Sequence, residues 1–351
     1  MNYFTFILTL LLFSPILAAQ DSDGPNLNDP EITAWTPSQS PVEDPLHDVF
    51  FYGEQLGWAY TYGTGILIHT RDGGQTWQVQ HRFHGHESDY YFEQIQFTSE
   101  RDGWLIGDYG YIYRTKDGGQ SWQDLSPGFP GRLKGPKDTS ANGVRVLYYG
   151  MYFRTGNEGF VSGQKFKQGE RSFKEYVLNR TSDGGFSWHR PARALPAMMF
   201  DIQFPEDRTG FAVSKSRVWS TKDRGRNWTE KFSDNPVTNC GKLRGLFCFD
   251  MKRVLACSEN GKILRTVDGG KNWKSIQVTS NRLRSLVFRD DLNGFAVGDK
   301  NKEDGVLHVS NDGGESWKTT PFDLPDLHRI CLSPSKVWAV GKEGVIISRD
   351  R

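Results

Sequence analysis

A ring of seven small antiparallel sheets, the all-β architecture of a seven-bladed β-propeller, is predicted by three observations on this chain of 351 residues. A box of the form Ser/Thr-x-Asp-x-Gly-x-Ser/Thr/Asn-Trp occurs in six full copies, with Asp72, Asp117, Asp183, Asp223, Asp268 and Asp312 all in the same register. The intervals between these aspartates, and on to Asp350, are 45, 66, 40, 45, 44 and 38 residues. A partial copy at Ser348 and Asp350 lacks its tryptophan, and "TAWTPSQSPVEDPLHDVFF" near the other end parallels "SWKTTPFDLPDLHRICL". A fixed period of this length marks a supersecondary unit that must stack on its neighbours to bury its apolar face.

The elements follow in chain order. Residues 1–19, "MNYFTFILTLLLFSPILAA", form an apolar run that ends in small residues and is read as an export signal, followed by a short linker over 20–32. Residues 33–351 are read as the propeller. Within each unit two apolar-rich runs split by a polar turn, such as "IQF" and "DGWLIGDYG", precede a third run that enters the box. The box aspartate is suited to accept backbone N–H groups in a tight turn, and the glycine two places on takes a positive φ. Arg224 beside Asp223 then implies that only the second of the two turn positions needs glycine. The tryptophan opens a fourth, returning strand and wedges against a neighbouring sheet. For the last unit Trp35 stands where that tryptophan belongs, so the N-terminal strand is expected to complete the seventh blade and close the ring.

Composition excludes little beyond disorder. Lys and Arg number 43 against 42 Asp and Glu, so bulk charge provides no case for nucleic acid. Cys240, Cys248, Cys257 and Cys331 show neither a CxxC pair nor metal-ligand spacing, and are read as buried thiols rather than bridges. His81, His84 and His86 with Glu87 and Asp89 offer metal-ligating types on one loop, without the spacing of a rigid site, and no metal or cofactor is assigned.

The longer phrases "DGWLIGDYGYIYRTKDGGQSW" and "GWAYTYGTGILIHTRDGGQTW" resemble the repeats of the photosystem II stability and assembly factor family, itself one of several families built on the Asp box or bacterial neuraminidase repeat. The resemblance spans roughly residues 33–351. It implies an exported, chaperone-like scaffold with an arginine patch on one face and no catalytic residues. Two departures stand against a photosystem role. No lipid-acceptor cysteine follows the apolar leader, and the third unit is long, with 66 residues between box aspartates.

In a propeller the starts of the innermost strands share one face with the turns between second and third strands. That face would carry Arg145, Arg193, Lys242, Arg244, Arg282, Arg284 and Arg329, joined by Lys165, Lys167, Arg171 and Lys174 from the third unit's insertion. The opposite face would carry the boxes and acidic turns such as Glu54, Asp102, Asp207 and Asp291. A basic rim of this kind suits a protein partner with an acidic or carboxylate-bearing segment, at or near a membrane complex, bound by a monomeric, exported chain (periplasmic, extracellular, or lumenal in a photosynthetic host).

The alternative is a glycan-acting or glycan-binding Asp-box propeller of the sialidase or glycosidase kind, with Asp48, Glu93 and Asp201 on inner strands as its carboxylates. Against it, no arginine lies between residues 20 and 70, where a sialidase places its first, and no HExxH, GxSxG or P-loop occurs. The expectation is therefore a non-enzyme.

Overall fold

The box turn sets the local geometry from which the rest grows. In the first copy Asp72 Oδ1 accepts from Thr70 Oγ1 at 2.7 Å and from the Thr76 N–H at 2.9 Å, while Thr70 Oγ1 accepts from the Gly74 N–H at 2.8 Å. The same bonds recur at Asp117, Asp183, Asp223, Asp268 and Asp312. Gly74 has φ +81°, and a Cβ there would lie 2.0 Å from the Trp338 ring, so glycine is needed twice over. The residue before it differs from expectation. Gly73 and its equivalents are also left-handed, and Arg224 takes that conformation at φ +60° as a non-glycine residue. Both turn positions therefore favour glycine, and Arg224 bears the strain while pairing with Asp207.

The computed structural model describes residues 35–83, 91–128, 143–167, 173–190, 197–236, 238–300, 304–320 and 324–350. The export segment, the linker, Arg171, Arg193 and the loop with His84 and His86 lie outside them, as does the side chain of Lys174. Six sheets have four strands. The first blade, for instance, runs Leu46–Tyr52, Leu56–Thr61, Ile66–Thr70 and Gln78–Arg82 from the inside outward. The third blade has three long strands, Val144–Phe153, Gly159–Lys167 and Phe173–Thr181, and among the described residues its outer edge is a bridge between Arg180 and His189.

Ring closure is as the sequence predicts. Thr36–Ser38 pairs antiparallel with Ile346–Asp350, placing Thr36 opposite Ser348. Trp35 is 7% exposed and meets Phe295 of the sixth blade edge-on at 5.6 Å, just as Trp77 of the first blade packs on Phe51 and on Trp338 of the seventh. The core is thus a set of apolar wedges between successive blades, each sealed by a box tryptophan. All four cysteines are free thiols, with Cys240 and Cys257 buried.

Candidate functional site

Each of the seven innermost strands carries one register shift, close to its start in six and mid-strand in the third blade, where two residues face one partner position. The residues left without a register partner are His47, Glu93, Tyr149, Phe200, Arg244, Arg284 and His328. A bulge re-aims a side chain, and here all seven, with Gln94 and Arg329, line a single cavity of about 280 Å³ where the strands converge. This is the mouth of the central channel.

The residues that follow the bulges do a different job. Asp48 accepts from the Ile95 N–H at 3.1 Å, Gln94 from the Met151 N–H at 2.6 Å, and Asp201 from the Leu246 N–H at 3.0 Å, each bond reaching the next blade. Ser285 Oγ donates to the Ile330 carbonyl, and Arg329 pairs with Asp48 at 3.1 Å to carry the belt across the closing seam. At Gly150 and Gly245 the backbones themselves come close, a Cβ on Gly150 meeting the Met199 carbonyl at 2.5 Å. Burial pushes the Asp48 and Asp201 carboxyls up from their ordinary value, and Arg329 opposes the shift in both. The two inner-strand aspartates offered for glycan chemistry are thus held by interblade bonds. Glu93 sits at the mouth, 3.4 Å from His47.

The mouth has two halves. Blades five to seven contribute the basic half. Arg244 gives Nε to Glu259 at 2.8 Å, and Arg284 bridges Asp299 and Asp326, both at 3.0 Å. These bonds leave Nη1 of Arg244, Nη1 of Arg284 and both Nη groups of Arg329 unengaged among the described residues, on side chains that line the cavity. Blades one to four contribute an aromatic half, with His47 stacked on Tyr62 at 4.9 Å, Tyr62 beside Tyr91 at 4.8 Å, and Tyr149 edge-on to Phe200 at 5.6 Å. Arg244 lies over the Phe200 ring at 4.7 Å and joins the halves.

The remaining predicted basic residues stand further out. Arg145 pairs with Asp108 and covers the Tyr109 ring, Arg282 lies 3.7 Å from Asp299, Lys165 pairs with Glu175 at 2.9 Å, and Lys242 lies 3.6 Å from Glu259. Lys167 ends the second strand of the third blade. Arg145, Lys165, Lys242, Arg244, Arg282, Arg284 and Arg329 therefore arrive with carboxylates that fix their orientation, Asp299, Asp326 and Asp108 being almost fully buried. His47, Tyr149, Phe200 and His328 were not singled out by sequence. Their shared signal is positional: His47, Phe200 and His328 stand beside the first apolar residue of an inner strand and Tyr149 lies mid-strand, and nothing in their residue types announces it.

Comparison with known proteins shows what the chain resembles. The family model described as "Photosynthesis system II assembly factor YCF48" matches residues 27–186. The chloroplastic photosystem II stability/assembly factor HCF136 of Arabidopsis thaliana is 26% identical, over 81% of this chain and 81% of that protein. The photosystem II assembly protein Ycf48 of Thermosynechococcus vestitus is 26% identical, over 84% and 89%. This chain is similar to the photosystem II assembly factors. A solved structure of YCF48 bound to D1 peptide superimposes with a TM-score of 0.68 at 23% identity, covering 91% of this chain and 97% of that one. Both of the relatives HCF136 and Ycf48 are named as assembly factors rather than as enzymes.

Proposed function

We propose that this chain is an exported, monomeric assembly scaffold that holds a carboxylate-bearing segment of a membrane-protein partner across the mouth of its channel. The observation that carries the reading is the set of unengaged guanidinium N–H groups on Arg244, Arg284 and Arg329, pre-oriented by Glu259, Asp299, Asp326 and Asp48 and aimed into one cavity. A guanidinium whose other N–H groups are already fixed loses little freedom when it binds a carboxylate. The relative solved with D1 peptide supports a peptide as the occupant, and the apolar run over residues 1–19 supports export.

The test uses fluorescent peptides that differ only in an acidic residue or its amide, titrated into the mature chain. Binding should require the carboxylate and weaken as salt rises from 50 to 500 mM, because charges at an open mouth are screened over about 8 Å near physiological ionic strength. Arg244→Ala with Arg284→Ala should lower affinity at least about tenfold, the worth of one charge-assisted contact. Equal binding of acid and amide peptides would overturn the proposal. Arg145 and Lys165, further from the cavity, should alter the salt dependence more than the affinity.

A further inference from the structure

The residue before the box Ser/Thr differs from blade to blade, and at one seam the difference leaves a cleft. Arg114 of the second blade donates Nη1 to the Gly184 carbonyl at 2.8 Å and Nη2 to Gly156 at 2.7 Å, filling the crevice toward the third blade. Arg265 of the fifth reaches the equivalent Gly313 carbonyl at 2.9 Å. The first blade has His69 at that position, too short to reach, and Gly118 is bonded instead by Trp58 Nε1 and Gln80 Nε2, both at 3.0 Å. Two adjoining cavities of about 440 and 320 Å³ lie here, sharing His69, Arg71 and Gln120 in their walls. Each falls within or near the range of small-ligand sites, roughly 300–1,000 Å³.

The unmet groups in this cleft define the ligand. His69 is 8% exposed, stacks on Trp58 at 5.0 Å, and faces the Gln80 amide nitrogen through Nδ1 at 3.5 Å, which assigns the proton to Nε2. Its Nε2 and the Oε1 of Gln80 are both buried and make no hydrogen bond among the described residues. One is a donor and the other an acceptor. Burial, with the nearby Arg71, lowers His69 to about 4, so the ring is neutral in ordinary conditions. A cation cannot accept from His69 Nε2, the Gly118 carbonyl already has two donors, and the rim mixes Arg71 and Arg101 with Asp72, Glu100 and Asp117. A bare anion would face the Gln80 oxygen. A hydroxyl group satisfies a donor and an acceptor together, and the rim glutamines Gln78 and Gln120 suit a ligand that carries several, as vicinal hydroxyls do.

We propose that the cleft between the first two blades is a saccharide site in which ligand hydroxyls accept from His69 Nε2 and donate to Gln80 Oε1. The test titrates maltose, cellobiose and N,N′-diacetylchitobiose into the mature chain labelled with nitrogen-15, with sodium acetate and guanidinium chloride as anion and cation controls. The His69 Nε2 resonance should shift and saturate with a saccharide and ignore both controls. Ligand-observed saturation transfer should fall at least tenfold in Gln80→Leu, and in His69→Arg, which refills the seam as Arg114 does. If no saccharide moves His69, or if only acetate or guanidinium does, the proposal is overturned. Undiminished saccharide binding by folded Gln80→Leu would overturn it equally, whatever becomes of the His69 variant.

Discussion

The box hairpins on one face and the bulged strand starts on the other are both sevenfold features, yet they use repetition in opposite ways. At the boxes the same residue types make the same bonds in copy after copy, from Asp72 to Asp312. At the bulges the backbone event repeats while the side chain it delivers changes, from His47 through Glu93, Tyr149 and Phe200 to Arg244, Arg284 and His328. A repeated side chain on a repeated backbone serves the fold. A varied side chain on a repeated backbone provides a surface whose chemistry can differ by sector, which is what a recognition site needs.

The largest expected effect tests the box side at its most unusual point, where its two halves come from opposite ends of the chain. Trp35 is buried against Phe295 and anchors the closing strand. Trp35→Ala should cost about 3–5 kcal/mol, as buried tryptophan truncations do, read by urea unfolding. A loss under about 1 kcal/mol would mean that the seventh blade holds without its N-terminal strand.

The next effect lies on the boundary between the two classes of residue. Arg329 lines the mouth and also neutralises Asp48, which is 3% exposed. Removing it alone strands a buried carboxylate, for a loss of about 2–4 kcal/mol once its partial exposure is allowed for. Arg329→Met with Asp48→Asn should recover part of that loss. If the single variant Arg329→Met is as stable as wild type, Arg329 belongs wholly to the recognition surface and the belt does not depend on it.

These cases show what could be read from sequence. The box was legible, apart from the left-handed conformation at Gly73 and Arg224, because it bonds to itself within eight residues, so spacing and residue type carry most of the signal. Closure by Trp35 was legible for the same reason, the missing tryptophan being identifiable by its absence from Ser348 and Asp350. Arg244, Arg284 and Arg329 were found because charge at a strand start is conspicuous. Their partners Glu259, Asp299, Asp326 and Asp48 were not assigned, since each pairing crosses a strand or a blade and depends on where the bulge turns the chain. The cleft at His69 was equally hidden, because a short residue reveals a crevice only when the fold shows what Arg114 fills at the next seam.

A smaller effect separates the classes by pH. The box bonds hold Asp72 and Asp183 at about 2, below the ordinary 3.8, chiefly through hydrogen bonds from Thr76 and Thr70 in one and Ser187 in the other. A depressed carboxylate contributes stability that is present above its unfolded value and lost as pH falls through the folded one. Box stability should therefore decline from about pH 4 to pH 2. Asp48 and Asp201 have the opposite sign, since raised carboxyls are relieved by protonation. Asp72→Asn with Asp183→Asn should lower the melting temperature at pH 6 and flatten its fall toward pH 2. Parallel curves for variant and wild type would place the acid sensitivity outside the boxes.

The smallest effect isolates a strain that only one box carries. Arg224 holds φ +60° where five other boxes have glycine, and it pairs with Asp207, an exposed partner. A left-handed non-glycine residue costs about 1 kcal/mol or somewhat more, and an exposed ion pair returns at most about 1. Arg224→Gly exchanges one for the other and should leave stability within about 0.5 kcal/mol of wild type. Arg224→Ala keeps the strain and loses the pair, so it should fall about 1 kcal/mol below the glycine variant. Matched denaturant melts of the two variants measure this difference directly, without reference to the ion pair that both lack. If they unfold together, the turn relaxes around a side chain at this position, and the glycines of the other boxes serve close packing, as Gly74 does beneath Trp338, rather than backbone conformation.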